Sequence, residues 1–322
     1  MRHPFRAAAV AALAFAFGIL PASSRAETKP VGWSANINLG AVLTQGNTET
    51  VSATLKARVE RNWLRTLFYI DGSGMRQDAT DNTSYAVGDA SFVQPNGGAP
   101  GKVCTGTCVV FPNSVRSTKA EKYSFDMGFE RRITERVFWD AEGAYDRDLF
   151  SGVQRKVAGR LGVGYVWSSR DNGDFKLGVQ ATYTDQQEIN PNPDTKDHYV
   201  GGRVTAEYDV KFGMTKQNTF NSKLAADEDL QVTNDFRTTW DNTLTVNMTQ
   251  KLSLQVGDKL AFRNLPALNT IPLFASQALA QAAGASGSGQ TLTPFKKVDN
   301  TVQVTLVISW TPHAPTASRP TR

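Results

Sequence analysis

Alternation of apolar and polar residues over long stretches is the feature that most constrains this chain. Between 302 and 310 the even positions hold Val302, Val304, Leu306, Ile308 and Trp310, and three of the four odd positions are polar. A period of two is typical of a β-strand with one apolar and one polar face. The same pattern covers 33–43, 51–60, 123–129, 137–145, 157–167, 175–183, 200–212, 236–248 and 252–262. With weaker segments near 64–75 and 215–226, the sequence predicts twelve strands.

The length and polarity of these segments predict a membrane barrel. Most run for eleven to fifteen residues, whereas globular strands usually have about five or six and membrane strands need ~9–11. The polar face carries charges throughout, so it must contact water and cannot be the core of a sandwich. We therefore predict an all-β, antiparallel, up-and-down transmembrane β-barrel. Its predicted lumen-lining residues are Lys56, Arg58, Glu60, Asp126, Glu130, Asp140, Glu142, Arg160, Arg203, Glu207, Arg237, Asp241, Lys259 and Arg263.

Connection lengths predict the topology. Tight connections alternate with mostly longer ones, of which 76–117 and 265–295 are the longest. Outer-membrane barrels have short periplasmic turns and longer external loops, so we expect both termini on the periplasmic side and these two loops outside. Aromatic residues support two interfacial girdles. We expect Trp33, Trp63, Trp139, Trp167 and Trp310 at the periplasmic rim, and Tyr123, Tyr145, Tyr183, Tyr199, Phe236 and Phe262 toward the other rim.

The first 26 residues have the order of a secretory signal peptide. Arg2 and Arg6 precede an apolar run of 14 residues, and 24–26 reads Ser-Arg-Ala. That run is short of the ~20 residues of a spanning helix, so we predict a cleaved export signal. The expected organisation is a signal peptide at 1–26, a barrel domain at 27–311 and a periplasmic tail at 312–322.

Charge and cysteine content narrow the function classes. The formal net charge is +5, but Arg2, Arg6 and Arg25 belong to the predicted signal, which leaves the rest near neutral. Nucleic acid is therefore not an expected partner, since it requires a basic patch or stripe. The two cysteines, Cys104 and Cys108, lack the further ligands of a zinc site and are predicted to form a disulfide in an oxidising compartment.

Four segments resemble a bacterial family of salt-induced outer-membrane proteins. WSANINLG at 33–40 and TQGNTET at 44–50 resemble its opening hairpin, while GAYDRD at 143–148 and RLGVGY at 160–165 resemble its middle strands. The resemblance implies a barrel in the outer membrane of a Gram-negative bacterium, with no catalytic residue to transfer. It also implies a link to salt or osmotic response. The two long loops depart from the simpler family pattern.

Three functions remain open at this point. The first is a narrow passive pore or an envelope-structural protein, with outer-membrane lipid, the barrel-assembly machinery and small solutes or ions as partners. The second is a surface-binding protein that uses loops 76–117 and 265–295. The third is a rim-sited lipid hydrolase, for which only His198 lies within the barrel region. We expect no enzymatic activity and no cofactor.

The 265–295 loop has a helical pattern. Apolar residues recur at helical spacing from 271 to 283, with Pro272 near the start and Gly284 beyond the end. This predicts a short helix, which either folds into the barrel mouth as a constriction or lies over the rim.

The last strand resembles the terminal assembly signal of outer-membrane barrels, with Gln303, Ile308 and Trp310 at the expected spacing. We predict that Trp310→Ala lowers the yield of assembled protein, because the machinery then lacks its terminal aromatic contact. Heat-modifiable mobility of the outer-membrane fraction measures that yield. An unchanged yield would refute a role for Trp310.

Overall fold

The computed structural model describes residues 31–45, 48–81, 84–88, 91–93, 101–103, 108–112, 115–168, 173–213, 218–249, 251–281 and 289–310. The predicted signal peptide (1–26) and tail (312–322) lie outside the described residues and stay predictions. Within the described part of the chain, no helix is both long and apolar enough to cross a membrane.

Twelve strands form one closed antiparallel barrel, as the alternating segments predict. Each strand pairs with its neighbour along the chain, and the ring closes where the first strand pairs with the last, from Ala35 opposite Trp310 to Gln45 opposite Asn300. The barrel strands are β1 (Gly32–Gln45), β2 (Thr48–Asn62), β3 (Thr66–Asp81), β8 (Val115–Arg132), β9 (Val137–Asp148), β10 (Val153–Ser168), β11 (Gly173–Glu188), β12 (His198–Phe212), β13 (Asn218–Asp229), β14 (Phe236–Asn247), β15 (Leu252–Arg263) and β18 (Val298–Trp310).

The two rims of the barrel differ in the connections that they carry. One rim holds the strand ends that are joined by few residues, between β2 and β3, β8 and β9, β10 and β11, β12 and β13, and β14 and β15, together with the beginning of β1 and the end of β18. We call it the short-turn rim. The other rim, the long-loop rim, holds the strand ends joined by the longer connections, between β3 and β8, β11 and β12, β13 and β14, and β15 and β18, as well as the short β1–β2 connection and the one-turn 3-10 helix Leu149–Ser151.

The barrel is apolar outside and polar inside. Large apolar side chains such as Leu55, Leu161, Val179 and Trp240 are exposed on its outer face. A continuous apolar outer surface on a closed barrel is the arrangement that faces lipid. The charged positions alternate with these residues and so point inward.

The two long loops fold together into a second sheet of six strands. The sequence pattern did not predict this sheet. Loop 82–114 supplies β4 (Ser84–Val87), β5 (Ser91–Val93), β6 (Gly101–Val103) and β7 (Val109–Pro112), and loop 264–297 supplies β16 (Leu268–Phe274) and β17 (Gly289–Pro294). The barrel strands β3 and β8 also extend into the predicted 76–117 loop.

The helix expected over 271–283 is wrong in its first part. Residues 268–274 form β16, and among the described residues of this segment the helix α1 covers Gln277–Gln281 alone. The apolar residues of this segment satisfy helical spacing, but strand pairing wins because β17 and β4 offer backbone partners on both sides. Ile271 and Leu273 then pack with Ala86 and Cys108 into an apolar cluster outside the barrel.

The position of the Tyr69 side chain in the lumen depends on a close approach between β3 and β8. Tyr69 on β3 is directly opposite Gly128 on β8, and a Cβ added at Gly128 would overlap the Tyr69 ring. The ring therefore lies flat over the glycine, and its hydroxyl donates to Glu142 Oε1 on β9 at 3.0 Å.

We predict that Gly128→Ala destabilises the refolded barrel by about 1–3 kcal/mol, the usual cost of overpacking. Urea titration of the vesicle-inserted protein measures the change. Gly72→Ala is the matched control, since nothing lies within 4 Å of a Cβ added there. Equal stability of the two variants would contradict the packing argument.

Candidate pore lumen

The cross-strand registers place all fourteen predicted lumen residues on the inner face. One row of register partners runs from Glu130 through Asp140 and Arg203 to Arg237 and Arg263. Residues in register on antiparallel strands share a face of the sheet. The inner face is therefore a continuous polar surface around the barrel.

Opposite charges on this surface pair with one another. The pairs between neighbouring strands are Arg58–Asp71 (3.6 Å), Lys122–Asp148 (2.6 Å), Arg160–Glu142 (3.3 Å), Arg203–Asp227 (3.3 Å) and Lys259–Asp241 (3.7 Å). Lys176 on β11 reaches further, to Glu130 on β8 at 3.4 Å. Asn221 donates to Glu207 at 3.0 Å. Pairing of this kind lowers the cost of placing many charges inside a narrow barrel.

A polar cluster crosses the lumen beneath the long-loop rim. Arg263 on β15 forms an ion pair with Glu188 at the end of β11, four strands away around the barrel. Arg237 donates to Gln186 at 2.7 Å and pairs with Asp235 at 2.8 Å. The side chains of Glu188 and Asp235 are almost completely buried. This cluster connects the β15 side of the barrel wall with the β11 side.

The lumen has one filled wall and one wall open to water. On β11 the inward side chains Gln180, Thr182, Thr184 and Gln186 are buried, and Gln180 donates to Asp140. On the other side, the exposed fractions are 47% for Lys259, 38% for Asp241 and 37% for Arg58. The charged side chains on β2, β14 and β15 are therefore less buried than the inward side chains of β11.

The cavity beside the filled wall is too small for a solute. Lys156, Arg160, Thr182 and Tyr199 line a space of about 10 Å³, which is roughly the room of one water molecule.

The 264–297 loop crosses the mouth of the barrel. It leaves between β15 and β18, and yet Leu268 N donates to Asn190 O at 2.9 Å on the opposite side. Asn192 Nδ2 donates to Pro266 O at 3.1 Å. Ala267 is fully buried and packs close to Gly152, which lies between β9 and β10. This loop therefore narrows the entrance from the long-loop rim.

One predicted girdle residue, Tyr199, has other surroundings than the sequence suggests. Tyr199 does not belong to the outer aromatic girdle, because it is buried inside the barrel with Arg237 over its ring at 5.4 Å. It is opposite Thr184 on β11, and this register makes it an inward position. His198 is exposed, as a solvated residue beside a loop is expected to be, and its Nδ1 lies 3.5 Å from Asp185 Oδ2.

The disulfide and the terminal assembly signal remain predictions. Cys108 is disulfide-bonded and packs against the loop-sheet cluster, but Cys104 lies outside the described residues, so the pairing itself stays a prediction. Trp310 is exposed at the short-turn rim, Ile308 is opposite Ile37, and Gln303 donates to Thr305 inside the barrel at 2.7 Å. An assembly role for these three is untested.

Sequence reasoning missed several lumen residues. Tyr69 and Asp71 lie on β3, whose sequence pattern is weak, and Lys122 precedes the predicted start of β8. Glu188 lies beyond the predicted end of β11, and Asp235 immediately precedes β14. The apolar–polar alternation of β11 ends at Tyr183, because Asp185 and Gln187 are polar, so no periodic signal marks the inward residues Thr184, Gln186 and Glu188.

The chain is similar to several solved structures and matches the model of one protein family. Among solved structures, the chain is similar to the NanC porin (6% identity, TM-score 0.47, covering 84% of this chain and 98% of that one). It is also similar to the KdgM porin in complex with disordered oligogalacturonate (7%, 0.41, 86% and 99%) and to the P. putida toluene transporter TodX (10%, 0.38, 88% and 91%). A search of curated proteins finds no match. The model of one family matches residues 37–270, and the chain therefore belongs to the family described as "Protein of unknown function, DUF481".

Proposed function

We propose that this protein is a narrow, passive pore for small solutes or ions in a bacterial outer membrane, with its short-turn rim and both termini on the periplasmic side. The observation that carries the proposal is the partial exposure of inward charged side chains on the open wall of the lumen, namely Arg58, Asp241 and Lys259. A barrel that served only as a scaffold could fill this wall with apolar side chains, whereas the Arg58–Asp71 and Lys259–Asp241 pairs stay in contact with water.

The width of the barrel fits a narrow passage. Eight-stranded barrels are filled by side chains and those with sixteen or more strands leave a wide channel. Twelve strands with one filled wall leave an off-centre path between these limits. The crossing loop narrows this path further at one end.

Charge on the open wall supports weak selectivity. Lys56, Arg58 and Lys259 share the wall with Asp71 and Asp241, so positive and negative side chains alternate along it. Mixed charge gives neither anions nor cations a large advantage. The link to salt or osmotic response remains a prediction from the sequence resemblance.

We predict that the double variant Lys56→Glu/Lys259→Glu makes the pore cation-selective, because it changes the charge of the open wall by four units. The reversal potential of the refolded protein in a planar bilayer under a KCl gradient measures this selectivity. Lys196→Glu/Lys297→Glu, which makes the same charge change in the external connections, is the control. A conducting double variant with the reversal potential of the wild type would place the ion path elsewhere.

We further predict that replacing 265–295 with a short Gly-Ser linker raises single-channel conductance. The ends of the deleted segment already meet, since Arg263 N donates to Lys297 O at 2.8 Å, so the barrel can close without the loop. Asn190→Ala/Asn192→Ala keeps the loop but removes two side-chain contacts to it and should give more frequent open events. Unchanged conductance in both variants would show that the loop does not limit flow.

A further inference from the structure

The short-turn rim carries a group of arginines near two adjacent turns. Arg65 lies in the β2–β3 turn, and Arg131 and Arg132 end β8 just before the β8–β9 turn. The turns are adjacent because β3 pairs with β8, with Thr66 opposite Arg131. Arg132 N donates to Arg65 O at 2.8 Å. The barrel register thus brings Arg65 and Arg131 together at the outer edge of this rim, while Arg132, opposite the inward Phe138, contributes its backbone at the same place.

These arginines line a surface cavity. The cavity has a volume of about 410 Å³ and is lined by Arg65, Thr66, Arg131, Arg132, Ile133 and Trp139. No carboxylate is among its lining residues. It therefore combines the positive charges of Arg65 and Arg131, a hydroxyl and an aromatic wall in one recess, which we call the arginine recess.

The arginines of the recess differ from those of the lumen in their partners. Within the lumen, Arg58, Arg160, Arg203, Arg237 and Arg263 each form an ion pair with an Asp or Glu. Among the residues that the structure describes, Arg65, Arg131 and Arg132 form no ion pair within 4.0 Å. Glu130, which precedes Arg131, is engaged by Lys176 instead. The charge of the recess is left for an external anion.

Tryptophans show the depth of the recess relative to the apolar belt. Trp139 lines it, and Trp33, Trp63, Trp167 and Trp310 lie at the same rim. Arg61 stacks over Trp33 at 5.1 Å and over Trp63 at 4.7 Å. Tryptophan is enriched at the headgroup level of membranes, so the recess lies where the phosphates of a lipid leaflet would be.

We propose that the arginine recess binds the phosphate of a phospholipid whose headgroup carries a net negative charge. Guanidinium groups bind phosphate oxygens in bidentate fashion, and Trp139 would pack against the glycerol and upper acyl carbons. A zwitterionic headgroup also brings an ammonium group, which finds no carboxylate in the recess. The recess should therefore select phosphatidylglycerol over phosphatidylcholine. This inference rests on the membrane placement in the proposed function but not on conduction.

The test uses the full barrel, refolded and purified in detergent, with native mass spectrometry to count bound lipid. Wild type should bind phosphatidylglycerol at least about tenfold more tightly than phosphatidylcholine, given the attraction that each basic side chain adds near an anionic headgroup. Arg65→Gln/Arg131→Gln/Arg132→Gln should lose this preference. Arg155→Gln/Lys196→Gln/Lys297→Gln, which removes the same charge at the opposite rim, should retain it.

Two further arms keep the outcomes distinct. Inorganic phosphate at millimolar concentration should not displace the lipid, because it lacks the acyl contact to Trp139; complete displacement would make the recess a free-phosphate site and overturn the lipid assignment. Arg65→Gln alone changes only an exposed turn residue and should weaken the preference even if the triple variant does not refold.

The result also separates this inference from the proposed pore. Equal lipid preference in wild type and in refolded Arg65→Gln and triple variants would overturn the recess while conductance in a phosphatidylcholine bilayer could still support the pore. Selective lipid binding by a silent barrel would overturn the pore and leave the recess in place.

Discussion

Everything in this structure depends on the hydrogen bonds between the first and last strands. In an open sheet, β1 and β18 would each leave a row of unpaired backbone groups, which lipid cannot solvate. Their pairing, from Ala35 opposite Trp310 to Gln45 opposite Asn300, removes both edges at once. Only after this closure does an apolar outer face become an advantage, because the polar inner face is then sealed from lipid.

Closure also creates the lumen and its electrostatics. Twelve polar faces are brought around one narrow space, so charges from distant parts of the sequence meet, as Arg263 and Glu188 do. The ion pairs on β9–β13 are the more buried ones, while the Lys259–Asp241 pair on the other side stays partly exposed to water. The same closure aligns the turns at each rim. It brings Arg65 beside Arg132 at one end and lets the two long loops share a sheet at the other.

The loop sheet shows how an insertion can alter a simple barrel. Its own apolar cluster of Ala86, Ile271 and Leu273 makes it a small folded unit, and its anchors to Asn190 and Asn192 hold it across the mouth. A pore and a surface-binding protein differ in what such a unit does, namely limit flow or present a surface. Its position across the entrance supports the first.

The sequence by itself determined the fold class, the number of barrel strands, the alternation that puts the charged residues on one face of each strand and the division into mostly short turns at one rim and longer loops at the other. It could do so because a membrane barrel repeats one local rule, alternation, in every strand. Tertiary structure decided what local patterns do not encode: the helical spacing around Ile271 gave way to strand pairing, and Tyr199 turned inward to Arg237. It also decided which ion pairs are buried and which are exposed to water, since those contacts join residues that are far apart in the chain and meet only when the barrel closes.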